Sequence, residues 1–262
     1  MSTSFAAALR DLRPGASAQA AAITRGVSGP AATVPSRTIT LTHGLERLRC
    51  ASLLKPLYCW AAAAHVTDQG FWRAHAEPAV VTSSNSDTRA LWLAVGPAVI
   101  LSEIHRRTGA AWTQGNGDPS RFGSVEVAAA EVATAYTALA QAALAGDPVA
   151  AEVLSWMREV PGRQAFGVRE ALAVPDAAVK CGWYGGADES WLRTHAVAVI
   201  PRGGTGVTVV VGLTAQLYTD ELERELYHAR VAQGLPVEAE HERACGPLLR
   251  ALMSTAHNEV IA

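Results

Sequence analysis

Ser52-Leu-Leu-Lys55 places a hydroxyl and an amine three residues apart. On a helix, positions i and i+3 share a face, so a Ser at the helix start meets a Lys one turn on. An amine buried beside a second cation loses its charge and can take the hydroxyl proton. A helix start also offers free N–H groups to an oxyanion. The composition draws attention to that Lys. Of 22 basic residues only Lys55 and Lys180 are lysines, and the other 20 are Arg. Arginine carries surface charge equally well but does not give up its proton. A chain that keeps Lys twice points to a need for an amine at those two places. A Ser three residues before a Lys also arises by chance, so S-x-x-K on its own carries little.

Two further short patterns follow. Ser83-Ser84-Asn85 reads S-x-N. A second Ser between two amines can relay a proton to a leaving group. An Asn amide can hold both a substrate carbonyl and the first Lys. Taken alone, the same residues read as a helix cap. Lys180-Cys181-Gly182 leads into Trp183 on a strand-like segment. There a cation lies beside a Gly that lets a substrate approach the backbone, although an ordinary edge-strand Lys would look the same.

In combination the three patterns say more. S-x-x-K, S-x-N and K-x-G occur in this order, on a helix start, an inter-helix loop and a strand. This resembles the serine β-lactamase and penicillin-binding protein family, and most closely the class A β-lactamases, whose third motif is usually K-T-G or K-S-G. The stretch SSNSDTRALWLAVGPAVILSEIHRRTG is similar to the family's S-D-N segment and the helix after it. LSWMREVPGRQAFGVREALAVPDAAVKCGW resembles its run from a Trp-Met helix to the third-motif strand, and THAVAVI and VTVVVGL resemble its last two strands. The resemblance covers about residues 15–230 and marks a divergent member. It implies Ser52 as nucleophile, Lys55 as its base, Ser83 as proton shuttle and Asn85 as a substrate-positioning amide. Lys180 would set the local field and meet a substrate carboxylate. The backbone N–H groups of Ser52 and Trp183 would form the oxyanion hole. Cys181, Gly182 and Arg193 would complete the substrate site, with Arg193 as the carboxylate-binding Arg. No metal and no cofactor is implied.

The chain departs from the family in four places. Ser83 follows Ser52 by 31 residues, where the family has about twice that, so a wall of the cleft is expected to be missing and the cleft opened to larger substrates. The loop TQGNGDPSRFGS (113–124) lacks the Glu that activates the deacylating water in class A enzymes. Asp118 is its only carboxylate, and Glu126 follows just beyond. Cys181 stands where the family has a hydroxyl residue. Cys59, seven residues past Ser52, has no Cys to pair with near Ala76.

These residues need a scaffold, which the periodicity outlines. Ser4–Leu12 reads as a short helix. Ala16–Arg25 and Arg37–Thr42 read as strands, with GVSGP (26–30) as the turn between. Helices are predicted from Ser52 to about His65 and on either side of Gly96-Pro97, with Gly109 closing the second. A further helix is expected from Ser124 to Leu144, and another from Asp147-Pro148. Val179–Tyr184, Thr194–Pro201 and Val207–Leu213 read as strands, with PRGGTG (201–206) as a hairpin turn. Helical sequence fills 219–257. The predicted fold is α/β (α+β): an antiparallel sheet flanked by helices with an inserted all-α domain, like that of class A β-lactamases and DD-peptidases. Residues 1–50 with 160–262 would form the α/β domain and 51–159 the all-α domain, with the active site at their junction.

The bulk composition limits the alternatives. The net charge of −2 and the absence of a Lys/Arg cluster exclude a phosphate-tracking nucleic-acid binder. With 49% hydrophobic and 18% charged residues, the chain is expected to be folded. Its longest apolar stretch, around Ala90–Leu101, is shorter than the roughly 20 residues that span a bilayer. Cys50, Cys59, Cys181 and Cys245 form no C-x-x-C and read as reduced, buried thiols. No secretory signal is apparent at the N-terminus, and a cytoplasmic location is expected. The expected activity is that of a serine hydrolase or transacylase, acting through acyl-Ser52 on a small amide, ester or β-lactam and deacylating slowly in water. The alternative is a non-turnover binding or sequestering protein on the same fold.

Overall fold

A computed structural model describes residues 3–26, 36–115, 118–185, 191–203 and 206–262. The chain begins with α1 (Thr3–Ala8), a 3-10 turn, β1 (Ser17–Gly26), β2 (Arg37–His43) and the short β3 (Leu48–Arg49). Four helices follow: α2 (Lys55–Ala62), α3 (Gln69–Val81), α4 (Asn85–Val95) and α5 (Pro97–Thr108). A loop leads to β4 (Glu126–Val127), α6 (Ala129–Leu144), α7 (Pro148–Arg158), α8 (Gly162–Ala165) and α9 (Val168–Leu172). Three strands, β5 (Ala178–Tyr184), β6 (Trp191–Arg202) and β7 (Gly206–Leu217), precede α10 (Glu221–Ala232) and α11 (Glu238–Ile261).

Local signals set most boundaries. The Asp68 carboxylate accepts from the Gly70 and Phe71 N–H groups and opens α3. Ser84 accepts from Asp87 N–H and opens α4. Asp147 caps α7 ahead of Pro148. Gly109 ends α5 with a left-handed φ of 77°, which costs a Gly nothing.

Two helices start later than expected. Residues 51–54 are turns, and regular helix begins at Lys55. The helix predicted from Ser124 begins at Ala129. The intervening Val125 and Val127 are both fully buried, and β4 pairs with β3 through Leu48↔Val127. Pairing and burial thus extend the backbone there despite a cap-like Ser. Of the predicted turns, GVSGP lies mostly outside the described residues. PRGGTG joins β6 to β7, which pair up to Arg202↔Gly206, with residues 204–205 outside the description.

β1, β2 and β5–β7 form one antiparallel sheet in the order β2-β1-β7-β6-β5. Its two faces feed two cores. Alternate residues of β1 divide between them: Ala18, Ala20 and Ala22 pack toward α11, and Ala21 and Ile23 pack toward the helices between β3 and β5. Burial on both faces explains why β1, β6 and β7 read as nearly continuous apolar runs. The edge strand β5 is the one that matters for the site. Its alternation sends Val179, Cys181 and Trp183 toward the α11 side and Ala178 toward the helical side. Lys180 and Gly182 share the face of Ala178.

Candidate active site

Ser52 lies in the turn between β3 and α2. Leu53 N–H donates to Cys50 O at 3.0 Å and Lys55 N–H to Ser52 O at 3.3 Å, which is 3-10 geometry. In a 3-10 turn residues i and i+3 eclipse, so Ser52 and Lys55 still stack on one side. Ala51 pays for the tightness with a left-handed φ of 50°.

The turn is braced from every direction. Cys50 N–H donates to Val125 O at 2.8 Å and Ala51 N–H to Gly123 O at 3.0 Å. The Tyr136 hydroxyl donates to Leu53 O. His195 lies 2.9 Å from Arg49 O through Nε2, while its Nδ1 accepts from Thr214 N–H at 3.3 Å. That arrangement fixes the proton on Nε2. Burial pushes the imidazole down to about 4, so it stays neutral. From the sheet side, Gly182 abuts the turn. A Cβ there would lie 2.6 Å from Leu53 N, 2.7 Å from Ser52 N and 2.9 Å from Cys50 O. The K-x-G Gly is therefore required by the close approach of two backbones.

Beneath the turn sits the Lys55 amine, whose side chain is fully buried. Nζ donates to Ser83 O at 2.5 Å, Asn85 Oδ1 at 2.8 Å and Ser84 O at 3.2 Å, and Ser83 Oγ lies 3.4 Å away. Among the described residues, Ser52 Oγ makes no hydrogen bond. Ser83 holds a left-handed φ of 60°, which turns its carbonyl and hydroxyl toward the amine. With Asn85 Oδ1 turned to Lys55, its Nδ2–H2 is left for the cleft. Burial and then the charge of Lys180 hold Lys55 well below the usual lysine range. Lys180 is itself buried, donates to Val80 O at 3.2 Å, and is lowered by burial to about 8. The structure thus brings together Ser52 from the β3–α2 turn, Lys55 from α2, Ser83 from the α3–α4 loop, Asn85 from α4, and Lys180 and Gly182 from β5.

Above this cluster opens a cleft of about 310 Å³ onto which Ser52 and Asn85 face. Trp183 and Tyr184 form one wall, and Phe122–Ser124 part of another. Phe122 stands beside the amine, its ring centroid 5.3 Å from Lys55 Nζ. Arg49, Arg89 and Arg121 also line the cleft.

Several expected contacts do not form. Cys181 is fully buried on the α11 side of the sheet, because strand alternation turns it away from Lys180 and Gly182. Burial raises its thiol to about 12, so it offers the cleft nothing. Arg193 is covered inside the sheet beside Tyr184 and lies 5.8 Å from the Trp191 ring, outside the cleft lining. Trp72 is fully buried, and Trp112 is buried with its Nε1–H donating to Glu131, so both belong to the core. Asp118 is spent on Ser120 N–H at 2.9 Å and Ser120 Oγ–H at 2.7 Å, and neither it nor Glu126 lines the cleft. Cys59 does lie against Ala76, its thiol 3.8 Å from Ala76 O, and all four cysteines are free and buried.

Sequence reasoning missed Phe122, Tyr136 and His195. The signals were faint: a lone aromatic in a Gly-rich loop, a lone Tyr on an Ala-rich helix and a lone His in an apolar strand.

No protein-family model matches the chain, and no curated protein sequence is significantly similar to it. Solved structures are informative. A mutant of the last common ancestor of Gram-negative bacteria class A β-lactamase superposes with a TM-score of 0.60, 18% identity and 96% of each chain covered. A class A β-lactamase from Mycobacterium abscessus gives 0.59, 14% identity and 98% of each chain. A β-lactamase from Chitinophaga pinensis gives 0.58, 13% identity, 92% of this chain and 93% of its own. The chain has the class A β-lactamase fold, with a sequence that has diverged far from these structures. No helix among the described residues is long and apolar enough to cross a membrane.

Proposed function

We propose that this protein is a serine acyl-enzyme that opens a small amide, ester or β-lactam through acyl-Ser52 and releases the acyl group slowly to water. One observation carries the reading. The buried Lys55 amine is held on Ser83 and Asn85 directly under a cleft that exposes Ser52. A neutral amine donates two N–H groups, which Ser83 O and Asn85 Oδ1 can accept, and keeps a lone pair for a hydroxyl. In acylation, Ser52 Oγ bonds to the substrate carbonyl carbon and its proton passes to Lys55, directly or by way of Ser83 Oγ. The carbon's bond to nitrogen or oxygen then breaks, and the proton goes to the leaving group. The oxyanion is met by the N–H groups of Ser52 and Trp183, and the Asn85 amide holds a second carbonyl of the substrate. Lys180 adds positive field, which keeps Lys55 neutral and favours a carboxylate. The site lies at the junction of the sheet unit (1–50 and 160–262) and the helical unit (51–159).

Slow release follows from Phe122. An apolar ring stands beside Lys55 where a carboxylate base could otherwise sit, and among the described residues the cleft lining contains no Asp or Glu. The same feature favours the second reading, a protein that captures its ligand without turning it over. Intact-mass spectrometry with a β-lactam and with an activated ester separates the two. The proposal expects a stoichiometric adduct that Ser52→Ala abolishes. Turnover that persists in Ser52→Ala, or no adduct with any activated acyl donor, discards it.

A further inference from the structure

Among the described residues the cleft lining carries three arginines and no carboxylate, a charge pattern that the acylation chemistry leaves unused. Arg89 and Asn85 are one helical turn apart on α4, and both face the cleft. A guanidinium therefore stands one turn, roughly 6 Å, beyond the amide that receives the acyl-side carbonyl. Arg121 comes from the loop before Phe122, and Arg49 from β3 just ahead of the Ser52 turn. Among the described residues, the counter-charge that Arg89 and Arg121 share is Asp118. Asp118 lies 3.5 Å from Arg121 and within electrostatic reach of Arg89, but it is partly satisfied by Ser120 and stays outside the lining. Among the described residues, two guanidinium groups, Arg89 and Arg121, against that one carboxylate leave the acyl end of the cleft cationic. This end lies away from Lys180, which is buried on the sheet side and does not line the cleft.

We infer that the substrate carries an anionic group on its acyl portion, a carboxylate or phosphate a few atoms beyond the scissile carbonyl, read by Arg89 and Arg121. The inference rests on the acyl-enzyme reading and names its substrate class. Arginine suits the task because its planar fork pairs with carboxylate and phosphate through two parallel hydrogen bonds. Trp183 and Tyr184 line the cleft from β5, with the Trp183 ring turned to the α11 side against Phe166.

Two matched measurements test it. In the first, nitrophenolate release in the acylation burst is followed with the 4-nitrophenyl ester of glutaric acid and with that of its neutral methyl ester. In wild type the anionic ester acylates at least about 10-fold faster per unit concentration. That ratio falls several-fold in Arg89→Gln and in Arg121→Gln, and also at 1 M salt, where charge screening is nearly complete. In the second, Ser52→Ala, which cannot acylate, is titrated calorimetrically with glutaric acid monoamide and with its methyl ester. The anionic ligand binds more tightly, and adding either Arg substitution removes the preference. A charge preference in the titration without acylation in wild type keeps the anion site and overturns the acyl-enzyme reading. Acylation that is indifferent to charge overturns the anion site alone. A preference that survives both Arg substitutions overturns the assignment to these residues. Glutarate phosphonate analogues, run in the same titration, decide between carboxylate and phosphate.

Discussion

Replacing Lys180 with Met is expected to stabilise the protein at neutral pH and destabilise it in alkali. Lys180 is buried, and its amine is lowered from 10.5 in the open chain to about 8 in the fold. Below pH 8 both states hold the proton, and the fold bears the whole cost of a buried cation. That gap corresponds to roughly 3 kcal/mol at about 1.36 kcal/mol per pH unit. Between pH 8 and 10.5 the unfolded chain binds a proton that the fold has released, so stability climbs with pH. Above 10.5 the cost is gone. Methionine has similar length and no charge, so it escapes the cost at every pH. It also leaves Val80 O without the donor that now lies at 3.2 Å, a loss of about 1–2 kcal/mol. The variant should thus be more stable by about 1–2 kcal/mol at pH 7 and less stable by a similar amount near pH 10.5, the sign changing near pH 9. Relief of Lys55, which the Lys180 charge depresses, pushes the same way at neutral pH. Urea unfolding at pH 7, 8, 9 and 10, extrapolated to water for both proteins, reads the difference directly. A difference that stays constant from pH 7 to 10 would falsify the claim that the fold depresses this amine.

Gly182→Ala must move one of two backbones, since its Cβ would lie 2.6 Å from Leu53 N. Urea unfolding should show a loss of about 1–3 kcal/mol, and the acylation burst should slow at least 10-fold; an unaffected burst would mean the strand does not brace the Ser52 turn. Phe122→Glu places a carboxylate beside Lys55 and should shorten the acyl-adduct lifetime, by up to about 100-fold, in intact-mass time courses, whereas Asp118→Asn should leave it unchanged. Rapid adduct loss in wild type that slows in Asp118→Asn would contradict the loop geometry. The acylation rate should rise with pH through an inflection well below 10.5, as Lys55 loses its proton. For substrates with a carboxylate on the leaving-group side it should fall again near pH 8, as Lys180 becomes neutral. A rate that climbs steadily to pH 10.5 would show that Lys55 is not depressed.

The chemical alphabet of the site was legible in the chain because it depends on local spacing. Ser52 and Lys55 are linked by one turn, Ser83 to Asn85 by one cap, and Lys180 to Gly182 by one strand step. Helix boundaries at Gly96-Pro97, Gly109 and Asp147-Pro148 were legible for the same reason, since a cap or a missing donor acts within four residues. Even so, local signals misled where pairing competed with them: Val125 and Val127 were drawn into β4, and the helix expected from Ser124 starts at Ala129. Tertiary structure decided what spacing cannot encode. It set Lys180 close enough to depress Lys55 although 125 residues separate them, because the edge strand β5 lies against the ends of α2 and α3. It put Phe122 at the amine and His195 behind Arg49 O, across gaps that no periodicity spans. It also chose the face. Alternation alone says that Lys180 and Gly182 point opposite to Cys181, but only the packing of α11 on one side and of the helices on the other says which direction is the cleft. Residue types and short spacings travel with the covalent chain. Burial, field and cleft are properties of surfaces that exist only once distant segments exclude water between them.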